Sequence, residues 1–229
     1  MMRRTAACAG LALAIYLSAW IPLNSKPAEM TQALSLQGID TVVLQGNPES
    51  VTFSTQAPGA SYNPSELPQL LERRKGRVLV VYPQYGALGR YSIVLPRTIR
   101  RLDVEGTHIV VESDVAMTQL EVRASDNLYW TGNIPRLDLV NDSSRTPVED
   151  CDYCGPSIMI YSGKISDLRV TTQRGDVTLQ EPDDVAHTTL ALGPDARYSL
   201  GMGRKQAKLR LLTWQPGTID ALPTEPTSP

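Results

Sequence analysis

Cys151 and Cys154 are the residues whose type and spacing most directly suggest chemistry. C-x-x-C spacing suits a structural disulfide, two zinc ligands or a redox-active dithiol. A structural zinc site needs four ligands. The chain holds only two histidines, His108 and His187, and no second C-x-x-C. A redox site needs a favoured thiolate. Glu149, Asp150 and Asp152 disfavour that charge, and Gly155-Pro156 makes a turn rather than a helix start. The favoured reading is a disulfide clip inside a loop. So short a ring removes little chain entropy and would tidy the loop rather than hold the fold. No cofactor and no metal site is expected.

The remaining polar clusters are weaker. Glu149, Asp150 and Asp152 could offer oxygens to calcium, but they lack the Asp-x-Asp-x-Asp-Gly spacing and read as a solvated loop. Asp183-Asp184 reads as a turn. Paired carboxylates cleave glycosides only at set separations in space. No Gly-x-Ser-x-Gly elbow is present, and Gly201-Met202-Gly203-Arg204-Lys205 lacks the spacing of a phosphate loop. The chain is therefore expected not to be an enzyme, with a small carbohydrate-active enzyme as the residual alternative. The net charge of −2 argues against nucleic acid as a partner. Arg73-Arg74-Lys75 and Arg97, Arg100 and Arg101 are basic spots that read as solvated faces or as contacts for anionic polymers or lipids. Aromatics give the best hint of binding. Tyr129, Trp130 and Tyr161 could form a ligand face that stacks on sugars or docks a partner. The bland alternative is that Trp130 and Trp214 fill the ends of the core.

What must position these residues is a chain of 229 residues with 16 Gly, 17 Pro and one Phe, Phe53. Its start is basic, Met1-Met2-Arg3-Arg4, and is followed by an uncharged, mostly apolar run from Thr5 to Leu23. This pattern fits a secretory signal. It also approaches the ~20 residues that a membrane helix needs. Residues 1–25 are thus a signal peptide or an N-terminal hydrophobic helix serving as anchor. Either way Arg3 and Arg4 stay cytoplasmic and the remainder is exported to the periplasm or envelope. Residues 215–229, with Pro216, Pro223, Pro226 and Pro229, read as an extended, disordered tail.

Between them, residues 26–214 show short alternating runs, the signal of half-buried strands. Ser65 to Lys75 could be a helix, but Pro68 favours a hairpin that turns at Gly76. Further on, an aliphatic-x-aliphatic triplet recurs at Leu102, Leu120, Leu137, Ile158, Leu168, Leu190 and Leu209. The spacing is about 20 residues, save for a half step between Ile158 and Leu168, which places Ile158 on the other strand of its coil. The expected fold is all-β: a single β-solenoid in which each rung buries its apolar face only against its neighbours. A β-sandwich is the competing reading.

Leu36 to Asn47, the segment Gly76-Arg77-Val78-Leu79-Val80, and Tyr91-Ser92-Ile93-Val94-Leu95-Pro96 followed by Ile99 to Gly106 together resemble a known family. From about Leu34 to Trp214 the chain resembles the head GIN domain family of autotransporter adhesin heads and the related DUF4097-type strand repeats. The resemblance implies a β-helix-like fold and an envelope location, and supplies no catalytic residues. Asp142 to Gly155 is an insertion relative to that pattern. The functional expectation is a non-enzymatic binding, adhesin-like or structural module, with an envelope glycan or another envelope protein as partner. The alternative is a regulator or assembly partner tethered to the membrane through residues 5–23.

Overall fold

Strict alternation makes the strands. In Val78–Pro83, Tyr91–Leu95 and Arg101–Glu105 every second side chain is buried, because successive side chains of an extended chain point to opposite faces. The computed structural model describes residues 30–84, 89–105, 108–141, 156–180, 185–201 and 208–213. Among these are sixteen strands and no α-helix. They are β1 (Met30–Ala33), β2 (Thr41–Gln45), β3 (Pro48–Phe53), β4 (Gly59–Tyr62), β5 (Leu70–Lys75), β6 (Val78–Pro83), β7 (Tyr91–Leu95) and β8 (Arg101–Glu105). The second half contains β9 (His108–Ser113), β10 (Gln119–Ala124), β11 (Asn127–Gly132), β12 (Ile134–Asn141), β13 (Ser157–Ser162), β14 (Ile165–Leu179), β15 (Val185–Leu200) and β16 (Lys208–Thr213).

All sixteen belong to one sheet, ordered β1-β4-β7-β3-β9-β11-β13-β14-β12-β10-β8-β2-β6-β5, with β15 on β14 and β16 on β15. The two ends of that order approach each other. Gln32 of β1 donates its side-chain amide to Glu72 of β5 at 3.0 Å, so the sheet is barrel-like and nearly closed.

Most pairing is parallel, in two ladders. The first runs β6, β2, β8, β10, β12, the front half of β14, the front half of β15 and β16. The second runs β7, β3, β9, β11, β13 and the back halves of β14 and β15. Only β1–β4, β4–β7 and β5–β6 pair antiparallel. The β5–β6 hairpin turns at Gly76 (φ +61°), as the sequence suggested. Edge strand β5 exposes Glu72, Arg73, Arg74 and Lys75, charges that discourage pairing with another chain.

The core lies on the inward faces of the ladders and forms one cluster. Register stacks Val42, Leu102, Val122, Leu139, Val170 and Leu190 in the first ladder. It stacks Val51, Val111, Trp130, Ile160 and Leu179 in the second. All of these are buried. Each large aliphatic taken wholly out of water stabilises by about 1.5–3 kcal/mol. Ile158 sits on the second ladder, beside Val177, as its half step implied. The repeat phase needs correction. Leu102 lies beside Val122 rather than Leu120, and Leu168 beside Thr188 rather than Leu190.

Corners between the ladders are held by side-chain staples. Asn127 Oδ1 accepts from the Ser157 amide at 2.8 Å, and Asn133 Oδ1 accepts from the Lys164 amide at 2.7 Å. Gly163 has φ +125°, and a Cβ there would collide with the Gly132 carbonyl of the coil below. Only glycine meets both demands.

Candidate functional site: a tyrosine-bearing face

Side chains that alternate away from the core of the second ladder form its outer face. Its central column, read through the register, is Ser50, Val110, Tyr129, Met159, Thr178 and Ser199. None of these carries a formal charge. Ser50 donates to Ser92 at 2.9 Å, and Thr178 and Ser199 share a hydrogen bond of 2.9 Å. Tyr129 and Tyr161 stack with ring centroids 5.7 Å apart and planes inclined by 17°, within the range of offset-stacked pairs. They meet because the β11–β13 register shifts after Trp130, pairing Thr131 with Ser162. That leaves Tyr161 as the extra residue, as at a bulge. Tyr161 is 39 % exposed. The result is an apolar step, Val110, Tyr129 and Met159 with Tyr161, between two hydroxyl-bearing ends.

Trp130 is a correction. It is 0 % exposed and belongs to the core, with its indole N–H donating to the Gly132 carbonyl at 3.2 Å. The cause is parity: Leu128 and Trp130 point inward, so Tyr129 between them points out. Of the three aromatics expected on a ligand face, Tyr129 and Tyr161 stack on the outer face and Trp130 does not join them. The sequence reading missed Val110 and Met159, although both alternate with buried Ile109, Val111, Ile158 and Ile160. Cys151, Cys154 and the acidic cluster around them lie outside the described residues, as do Asp183, Asp184, Trp214, residues 1–29 and the Pro-rich tail. His187 is exposed on the first ladder, with Nδ1 3.3 Å from the Ser166 carbonyl oxygen.

The outer face of the first ladder has the opposite character. Oppositely charged residues two apart on one strand pair with each other. Arg101 meets Asp103 at 2.8 Å, Arg123 meets Glu121 at 2.5 Å, and Arg136 meets Asp138 at 3.0 Å. Arg169 lies 3.7 Å from Asp167 and 3.9 Å from Asp138. Burial pushes the Asp138 carboxyl above the usual carboxylate range, and Glu121 adds to this, against the opposing pull of Arg136 and Arg169. Only Oδ2 accepts from Arg136; Oδ1 is buried without a hydrogen-bond partner. These carboxylates are engaged by arginines rather than facing one another across a cleft.

What the uncharged column of the second ladder offers is contact chemistry. Aromatic and thioether surfaces offer contact area, and the flanking hydroxyls offer directional hydrogen bonds.

No protein-family model matches the chain, and no curated protein matches it. Solved structures are similar to it at low identity. A putative adhesin of Bacteroides fragilis aligns with a TM-score of 0.50 at 10 % identity, over 82 % of this chain and 96 % of that one. A putative lipid binding protein of Parabacteroides distasonis aligns at 0.48 and 10 %, over 82 % and 98 %. A putative adhesin of Parabacteroides merdae aligns at 0.46 and 10 %, over 84 % and 98 %. The likeness to the Bacteroides fragilis protein is one of fold, an all-β body.

Proposed function

We propose that this chain is an exported, non-enzymatic binding module of the cell envelope, adhesin-like in use and built as a β-solenoid of the head GIN type. Parallel strands that meet partners about 20 residues further along the chain support the solenoid reading. The resemblance of Leu36–Asn47 and Tyr91–Gly106 to that family, and the adhesin name of the similarly folded Bacteroides fragilis protein, support the role. The observation that carries it is the stacked Tyr129–Tyr161 pair in the uncharged central column of the second ladder's outer face. A sugar ring or an apolar side chain can lie on such a pair while Ser and Thr hydroxyls fix its orientation. The partner is an envelope glycan or another envelope protein.

The test is a binding screen of the purified chain against envelope glycans and peptidoglycan fragments, repeated with the Y129A/Y161A double variant. The expected result is retention of at least one glycan class by the native chain and a loss of about tenfold or more in the variant. Equal binding by both would remove the tyrosine face from the function.

A tethered regulator is the second reading, favoured by the apolar run from Thr5 to Leu23. N-terminal sequencing of the mature protein separates the two; a start after Ala19 or Ser25 eliminates the tether. Cys151 and Cys154 are proposed as a disulfide clip. Thiol counting under denaturing, non-reducing conditions should find at most Cys8 reactive, and reaction at Cys151 and Cys154 would sink the clip.

A further inference from the structure

Away from the tyrosine face, four connecting segments, around residues 36–40, 77, 97–100 and 116–119, meet at one corner of the body and enclose an open groove of about 840 Å³. The first three are tied together through their backbones. Arg100 and Arg101 donate amides to the Asp40 carbonyl at 2.8 and 3.1 Å, and Asp40 donates to the Arg77 carbonyl at 3.1 Å. The groove is thus a fixed concavity rather than a gap between loose loops. Its rim carries three guanidinium groups, on Arg77, Arg97 and Arg100, against one carboxylate, Asp40. Arg77 engages that carboxylate at 2.8 Å, and the Thr41 hydroxyl donates to its other oxygen at 3.1 Å. Arg97 and Arg100 have no acidic partner among the described residues. This departs from the first ladder, where neighbouring arginines are matched.

The rest of the lining decides what kind of anion fits. Leu36, Ile39 and Met117 form the floor, but they are only 8, 3 and 3 % exposed. Their surfaces are already committed to the core, so a fatty chain would gain little contact there. A bilayer is flat and would not reach a recessed floor. The accessible groups are instead the amides of Gln37 and Gln119 and the hydroxyls of Thr98 and Thr118. Amides and hydroxyls answer a ligand rich in hydroxyl groups, and guanidinium forks answer planar carboxylates or sulfates.

We propose that this groove binds an acidic glycan strand, with Arg97 and Arg100 holding its anionic groups and Gln37, Thr98, Thr118 and Gln119 its hydroxyls. The inference goes beyond the tyrosine face and does not depend on it. The test titrates the full chain with an oligogalacturonate and with a neutral oligogalactan of the same length. Binding of the acidic oligomer alone is expected, weakening as salt rises. The exposed pair R97Q/R100Q should lower its affinity about tenfold or more with an unchanged melting temperature, while Y129A/Y161A keeps it. Equal binding of neutral and acidic sugars, or undiminished binding by R97Q/R100Q, would overturn the proposal. So would a preference for phosphatidylglycerol vesicles or a poly-glutamate peptide over the oligosaccharide.

Discussion

On the outer face of the first ladder, Arg101, Glu121, Arg136, Asp138 and Arg169 each sit within 4 Å of an opposite charge. On the outer face of the second, Val110, Tyr129, Met159 and Thr178 form an uncharged column, and two rings stack on each other. Both faces hang on the same continuous core and on the same long strands, β14 and β15. They differ in what they leave unanswered. The first satisfies its charges locally and projects little net field. The second keeps apolar area and hydroxyls open to a visitor. Parallel stacking makes such a division possible, because each outward position repeats at the same place on the next strand and builds a column of one character.

If the faces share one scaffold, breaking the scaffold should abolish both. Trp130→Ala empties a fully buried site of the second ladder and should destabilise by about 3–5 kcal/mol, read by thermal or denaturant unfolding. Its neighbour tests the opposite side of the same strand. Tyr129→Ala should cost only about 0.5–1.5 kcal/mol of stability while weakening any ligand of that face. A Tyr129→Ala variant as unstable as Trp130→Ala would mean that the ring supports the fold rather than a surface.

The charged face should respond less. Arg101→Ala removes a partly exposed pair with Asp103 and should change unfolding free energy by about 0–1 kcal/mol. A larger loss would make that face a structural element in its own right. Asp138 gives the smallest effect and a sign. Its carboxyl is raised in the folded state, so the folded protein binds this proton more readily than the unfolded chain. Its ionisation therefore opposes folding as pH rises from the unfolded carboxylate pKa through the folded one. The melting temperature of the native chain minus that of Asp138→Asn should be larger below that window than at neutral pH. A difference that shrinks on acidification would reverse the assignment.

Much of this was legible because period 2 is a strong signal. Leu102 and Leu120 could be placed inward from alternation alone, and the half step at Ile158 identified a second ladder. The phase of the repeat was not legible. A shift of two residues leaves every side chain on the same face, so hydrophobicity cannot separate Leu102–Leu120 from the observed Leu102–Val122. The tyrosine pair was half legible. Parity with Leu128 already assigns Trp130 inward and Tyr129 outward, but the register shift that brings Tyr161 onto Tyr129 has no local signature. The groove was hidden for a different reason. Arg77 comes from the β5–β6 turn and Arg97 and Arg100 from the β7–β8 turn, and only long-range pairing of β2 with β6 and β8 gathers them.

The ladders also fix how the body would answer a pull. Their hydrogen bonds run from strand to strand, along the direction in which strands accumulate, so tension in that direction loads them one row at a time, like a zipper. Each coil that peels away would release about 20 residues, roughly 65–70 Å of extended chain. Under load the body would then lengthen in discrete steps, spreading a sudden pull over several small failures before the far end let go.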